Sequence, residues 1–245
     1  MGRFTGKHVL ITGGTSGMGL AGARRIIEQG GTVSVTGMNP QRLEAARRHL
    51  PGALVLGNDA AEPADTDILA ERIKAGRPLD GLWLNAGYAE IGAIEDVTAD
   101  AFDRMMAANV RGPMLQLAAL SPLLNPGASI VVTSSTSAYE GAPATSLYAA
   151  TKGAIVAMAR SWASALAPRG IRVNVLVPGP IDTNFRHFMP EEQRRQFEDF
   201  VVGRVPLGRV GTPDEAAAVA LFLLCDDSSY VTGSQYAVDG GLTMR

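Results

Sequence analysis

The feature that most constrains this chain is the regular alternation of two kinds of segment. Short apolar runs rich in Val, Ile, Leu and Thr lie at residues 9–12, 32–36, 53–56, 82–85, 129–133, 171–177 and 235–238. Longer stretches with helical patterning separate most of them, at 19–29, 41–49, 66–74, 99–124, 147–166 and 216–224. A strand followed by a helix and then another strand returns in the same direction, so the pattern predicts parallel strands joined by right-handed crossovers. The runs are continuously apolar rather than alternating, as expected where helices cover both faces of a sheet. The expected fold is α/β: one doubly wound parallel sheet of seven strands with helices on both faces, in a single domain over residues 1–245.

Composition removes several function classes. The chain has 245 residues, 46% hydrophobic and 19% charged, and a net charge of −2, which gives no basic surface for a nucleic acid. The longest apolar stretch, 216–225, falls well short of the ~20 residues a membrane span needs, and the first residues lack the apolar run of a signal peptide. The one cysteine, Cys225, excludes an intrachain disulfide and suits a reducing cytoplasm. The three histidines have no metal-ligand spacing, so no metal is expected. One segment breaks the rhythm. Residues 180–206 are charged and aromatic and follow a strand, where an insert of that length is expected to cover a site as a lid.

The first strand runs into Thr12-Gly13-Gly14-Thr15-Ser16-Gly17-Met18-Gly19 and then a helix. Glycines at such a turn let backbone N–H groups approach a pyrophosphate, and the helix N-terminus adds positive potential, so Gly13, Thr15, Ser16, Gly17, Met18 and Gly19 are candidate dinucleotide ligands. The expected architecture is then a Rossmann fold. After the second strand an acid would grip both ribose hydroxyls of NAD, and a basic residue would accept the extra phosphate of NADP. Here the stretch is Gly37-Met38-Asn39-Pro40, with neither. Arg42 follows, as a candidate for that phosphate or a solvated charge. Asp59, beside Ala60 after the third strand, is a candidate adenine acceptor or a turn acid.

Tyr148 and Lys152 stand four apart on one helix face. A tyrosine of ordinary pKa, about 10, exchanges protons poorly near neutrality, and a nearby ammonium is expected to lower it. So tuned, Tyr148 is a candidate general acid/base. Ser134, Ser135, Thr136 and Ser137 follow the fifth strand, at the sheet edge where ligands bind, and any of these hydroxyls could hold a carbonyl oxygen.

Together these residues resemble the short-chain dehydrogenase/reductase family, over residues 7–241. Thr12 to Gly19 looks like its TGxxxGxG motif, Asn85-Ala86-Gly87 like its NAG motif, and Pro178-Gly179 with Thr183 like its PG…T motif, with Ile181 between. Ser135, Tyr148 and Lys152 match its catalytic triad and Asn109 its catalytic asparagine. The resemblance implies that Tyr148 is the acid/base, that Ser135 positions the carbonyl oxygen, that Lys152 holds the nicotinamide ribose, and that Asn109 anchors a proton-relaying water. It implies nicotinamide-dependent hydride transfer, and the Val238-Asp239-Gly240-Gly241 ending resembles members that form homotetramers.

NADP(H) is expected over NAD(H), because Gly37 offers no acid and the Gly37-Met38-Asn39 stretch is similar to TGRN in NADP-preferring members. The expected substrate walls are residues 137–147, 88–91 and 180–200, which offer Tyr139, Leu147, Tyr88, Phe185, Phe188 and Met189, with Ser135 also at the substrate. They suit a hydrophobic ketone or secondary alcohol, as in bacterial carbonyl reductases and secondary alcohol dehydrogenases. An acyl-carrier ketoreductase is the alternative. A non-catalytic nucleotide-sensing protein would tend to lose Tyr148 or Lys152, and both are present.

Overall fold

Strand β1 (His8–Ile11) is buried along its whole length and pairs in parallel with strands on both sides, β2 (Thr32–Gly37) and β4 (Leu79–Leu84). Beyond β2 lies β3 (Leu54–Gly57); beyond β4 lie β5 (Leu124–Thr133), β6 (Arg172–Pro178) and β7 (Gln235–Val238). The computed structural model describes residues 2–183, 191–192 and 200–244. In it the seven strands form one parallel sheet in the order β3-β2-β1-β4-β5-β6-β7. The seven-stranded α/β fold is as the sequence predicts.

Consecutive strand residues point to opposite faces, and each face meets its own helices. Val9 and Ile11 pack with α1 (Gly17–Glu28), α2 (Pro40–His49) and the last helix, α8 (Pro213–Leu224). Leu10 faces the other way, into a core shared with α3 (Pro63–Lys74), α5 (Gly112–Leu120) and α7 (Ser146–Leu166), which follows the short α6 (Ser137–Glu140). Burying each such Leu, Ile or Val stabilises the fold by roughly 1.5–3 kcal/mol before chain entropy is set against it.

The helix expected over 99–124 is not continuous. Helix α4 (Ala99–Met106) passes into a π turn at Ala107–Arg111, then α5, then a 3-10 turn at Ser121–Leu123. The cause lies in Pro113. Proline offers no N–H to the carbonyl four residues back, Asn109, and its ring crowds that carbonyl. The chain answers with a wider turn, closed by Gly112 N–H donating to Ala107 O, five residues back. Strand β5 also starts earlier than expected, because Leu124 pairs with Leu79 ahead of a register shift in β4.

Candidate active site

Strand order reverses between β1 and β4. The connections leaving these two strands therefore go to opposite faces of the sheet, and a crevice opens above their C-terminal ends. Gly13 sits at its floor with φ of +65°, and a Cβ there would stand 3.0 Å from the Ala86 Cα. Only glycine meets both demands. Asn85 ties three strand ends together: its N–H donates to Thr12 Oγ1 at 3.0 Å, its Nδ2 to Thr12 O at 3.2 Å, and its Oδ1 accepts from Thr133 Oγ1 at 3.2 Å. The floor is thus braced before any ligand arrives. Above it lies a cleft of about 460 Å³.

One end of the cleft is formed by the glycine-rich turn and β2. Thr15, Ser16, Gly17 and Met18 line it, with Met38, Asn39, Asp59 and Ala60 beyond. Ser16 caps α1 without a side-chain hydrogen bond, and the helix's first turn carries no acid. The backbone donors and the positive end of the helix therefore face the cleft with no carboxylate in the helix's own first turn, and the residues present fit a dinucleotide pyrophosphate. Asn39 is partly spent on the fold, since its Oδ1 accepts from Arg42 N–H at 2.9 Å to cap α2. Asp59 is likewise engaged, its Oδ1 accepting from Ala61 N–H at 2.9 Å. Arg42 lines the cleft, and among the described residues nothing bonds or pairs with its guanidinium.

The other end holds Ser135, Tyr148 and Lys152, with Ala86, Gly87, Pro178, Gly179, Ile181 and Thr183 close by. Helix α7 presents Tyr148 and Lys152, both buried, on its inner face. Lys152 Nζ donates to the main-chain carbonyl of Thr133 at 3.0 Å and stands 5.7 Å from the Tyr148 ring centre. The Tyr148 hydroxyl is hydrogen-bonded to Ser135. Ser134 is committed elsewhere, donating to Lys152 O at 2.8 Å, so of the two serines that follow β5 it is Ser135 that meets the tyrosine.

The acid–base balance of this pair differs from expectation. Burial pushes the Tyr148 phenol up to about 12, only partly offset by the Ser135 hydrogen bond, and pushes the Lys152 ammonium down to about 8. Desolvation penalises each charged form and outweighs the lowering that a nearby ammonium was expected to give the tyrosine. A neutral Tyr148 beside a readily titrating Lys152 makes a proton donor, held in register by one helix.

Four expected site residues stand off the cleft wall. Gly19 is buried beneath it, where a Cβ would lie 2.6 Å from Gly13 O; its task is close packing of α1 on the turn. Asn109 is buried behind the wall at the π turn. Leu147 packs with Ala89, Met105 and Tyr148 in a small apolar cluster. Tyr139 is turned outward and hydrogen-bonds Gln235 from an exposed position. Tyr88 does line the cleft, whereas Phe185 and Phe188 lie outside the described residues. Glu140 lines the cleft from within the expected 137–147 wall, and Phe200, Val201 and Arg204 line it from within the 180–206 segment expected as a lid, of which 184–190 and 193–199 lie outside the described residues; Leu242, which also lines it, was not among the expected residues. Glu140 and Arg204 face each other at 4.0 Å, and the Arg204 guanidinium sits 5.6 Å over the Phe200 ring. These residues lie far apart in sequence and carry no local motif, so only the fold brings them together.

A family model described as enoyl-(acyl carrier protein) reductase matches residues 13–243. The chain is 39% identical to the oxidoreductase asL5 of Sarocladium schorii over 98% of its own length and 97% of the relative's. It is 34% identical to a 3-oxoacyl-acyl-carrier-protein reductase of Thermotoga maritima over 99% of its length and the whole of that protein. Among solved structures it resembles a blue fluorescent protein from a metagenomic library in complex with NADPH, with a TM-score of 0.88, 33% identity, and coverage of 97% and 98% of the two chains. With its sheet order, its strand-end cleft and this full-length similarity, the chain belongs to the short-chain dehydrogenase/reductase family of oxidoreductases.

Proposed function

We propose that the chain interconverts hydrophobic ketones and secondary alcohols, with NADP(H) preferred over NAD(H) and Tyr148 as general acid/base. The observation that carries this reading is the buried Ser135–Tyr148–Lys152 cluster at one end of a cleft whose other end fits a pyrophosphate. When bound, the nicotinamide cofactor supplies or takes up the hydride, and the protein supplies position and charge.

In the reducing direction Tyr148 gives its proton to the substrate oxygen as negative charge grows there, and Ser135 donates a hydrogen bond to the same oxygen. The Lys152 ammonium stabilises the phenolate left behind and would hold the nicotinamide ribose. The Asn109 side chain is fully used in bonds to Tyr88 and Thr151, so its carbonyl, which Pro113 cannot cap, is the group that would anchor a relay water. Alcohol oxidation runs the same steps backwards.

Gly13, Thr15, Ser16, Gly17 and Met18 would hold the pyrophosphate, and Asn85, Ala86, Gly87, Pro178, Gly179, Ile181 and Thr183 the nicotinamide end. Met38 and Asn39 would border the adenosine ribose, with Asp59 and Ala60 at the adenine. The Arg42 guanidinium, unpaired among the described residues, and the absence of an acid at Gly37 favour NADP(H). Four copies would assemble in a reducing cytoplasm.

A panel of free ketones and alcohols with both cofactors tests the reading. Turnover of apolar ketones with a higher kcat/KM for NADPH supports it. The Thermotoga maritima relative favours a second reading, reduction of β-ketoacyl thioesters. Activity on such thioesters with none on free ketones selects that instead.

A further inference from the structure

The last residue of β2 explains why this chain carries no acid for the ribose. Gly37 has no positive φ, so its backbone would accept any L-residue. The obstacle is Thr15 across the glycine-rich turn. A Cβ on Gly37 would stand 2.4 Å from Thr15 Oγ1 and 2.8 Å from Thr15 Cγ2. Thr15 is itself buried at 7% exposure, and a β-branched side chain has few rotamers into which to retreat. Both residues line the cleft at its ribose end.

We infer that Thr15 is a specificity-determining residue that acts through Gly37: its side chain fills the space in which a residue 37 side chain would begin, and so excludes the acid that would bind both ribose hydroxyls of NAD. This rests on the proposed cofactor site and deepens it. Cofactor preference then depends on two residues from different elements, with Thr15 denying the acid and Arg42 as a cation lining that end. An aspartate at Gly37 alone should strain the turn rather than switch the cofactor, whereas with Thr15 reduced to alanine the atom nearest its Cβ becomes Thr15 Cβ at 3.2 Å, a tight contact that a shift of a few tenths of an ångström relieves.

The test uses the full chain in two arms. In the first, melting of the ligand-free protein is compared for native, Thr15→Ala, Gly37→Ala and the double variant. Gly37→Ala should lower Tm by roughly 3–10 °C, from overpacking, and most of that loss should disappear in the Thr15→Ala background. A fall that persists unchanged in the double variant, or no fall at all, overturns the steric coupling. In the second arm, Kd for NADP+ and NAD+ is measured by titration calorimetry. Thr15→Ala/Gly37→Asp should bind NAD+ at least about tenfold tighter than Thr15→Ala and NADP+ at least about tenfold weaker. Coupling in Tm without that exchange of affinities overturns the specificity role. If the native chain binds neither dinucleotide, the proposed function fails and this inference with it. If it binds one while the Tm values are simply additive, only this inference fails.

Discussion

Asn109 grips both backbone groups of Tyr88: its Oδ1 accepts from Tyr88 N–H at 3.0 Å, and its Nδ2 donates to Tyr88 O at 2.8 Å. The second Nδ2 hydrogen goes to Thr151 Oγ1 at 3.1 Å, next to Lys152. One buried amide thus joins the π turn, the segment leaving β4 and the helix that carries Tyr148. Replacing it with leucine leaves the part-buried peptide groups of Tyr88 unmatched, at up to about 1–3 kcal/mol for each. Asn109→Leu should lower Tm by roughly 4–15 °C and reduce kcat as well. A melt within about a degree of native would remove the clamp from the account.

Removal of the Arg42 charge should act on one cofactor only. Arg42→Ala is expected to lower kcat/KM with NADPH by about tenfold or more, the value of a charge-assisted hydrogen bond, and to leave NADH within about twofold. Equal effects on both cofactors would place Arg42 away from the phosphate.

Lys152 sets a pH dependence of stability. Its folded pKa of about 8 lies below the ordinary 10.5, so between these values the folded chain has released a proton that the unfolded chain still holds. Stability therefore rises with pH across that window. Tyr148 works in the opposite sense: it keeps its proton to about 12 against an ordinary 10.0, so stability falls from pH 10 to 12. Urea midpoints for native and Lys152→Met proteins check the first part, and the rise above pH 8 should be missing from the variant. Tyr148→Phe checks the second, and should lack the fall above pH 10.

On the proposed mechanism the same lysine should shape activity. With its ammonium form lost above about pH 8, kcat/KM for ketone reduction should be level below that pH and decline above it. A profile that keeps rising through pH 9 in the reducing direction would mean that the ammonium plays no part.

How far these features could be read in the sequence depends on their range. The parallel sheet was legible because each strand and each crossover helix declares itself locally, and the Tyr148–Lys152 pair because four residues along a helix is a local spacing. The break at 107–111 was harder to see. Its cause, Pro113, is plain in the sequence, but the apolar pattern runs through it, and nothing local says that the chain will widen into a π turn rather than bend. The direction of the Tyr148 shift was misread because burial is a property of the whole fold, while the lysine beside it is visible in the sequence. The contacts between Thr15 and Gly37 and between Glu140 and Arg204 join segments that only the folded chain brings together.

The central claim is that Tyr148 transfers the proton in hydride exchange with a carbonyl substrate. Its most direct measurement is steady-state NADPH oxidation with the best ketone from the panel, in native and Tyr148→Phe proteins of matched melting temperature and NADP+ affinity. The account predicts that kcat falls by about 10²–10⁴-fold, the usual worth of a positioned general acid, while cofactor binding stays near native. A Tyr148→Phe protein that retains native kcat/KM would contradict it.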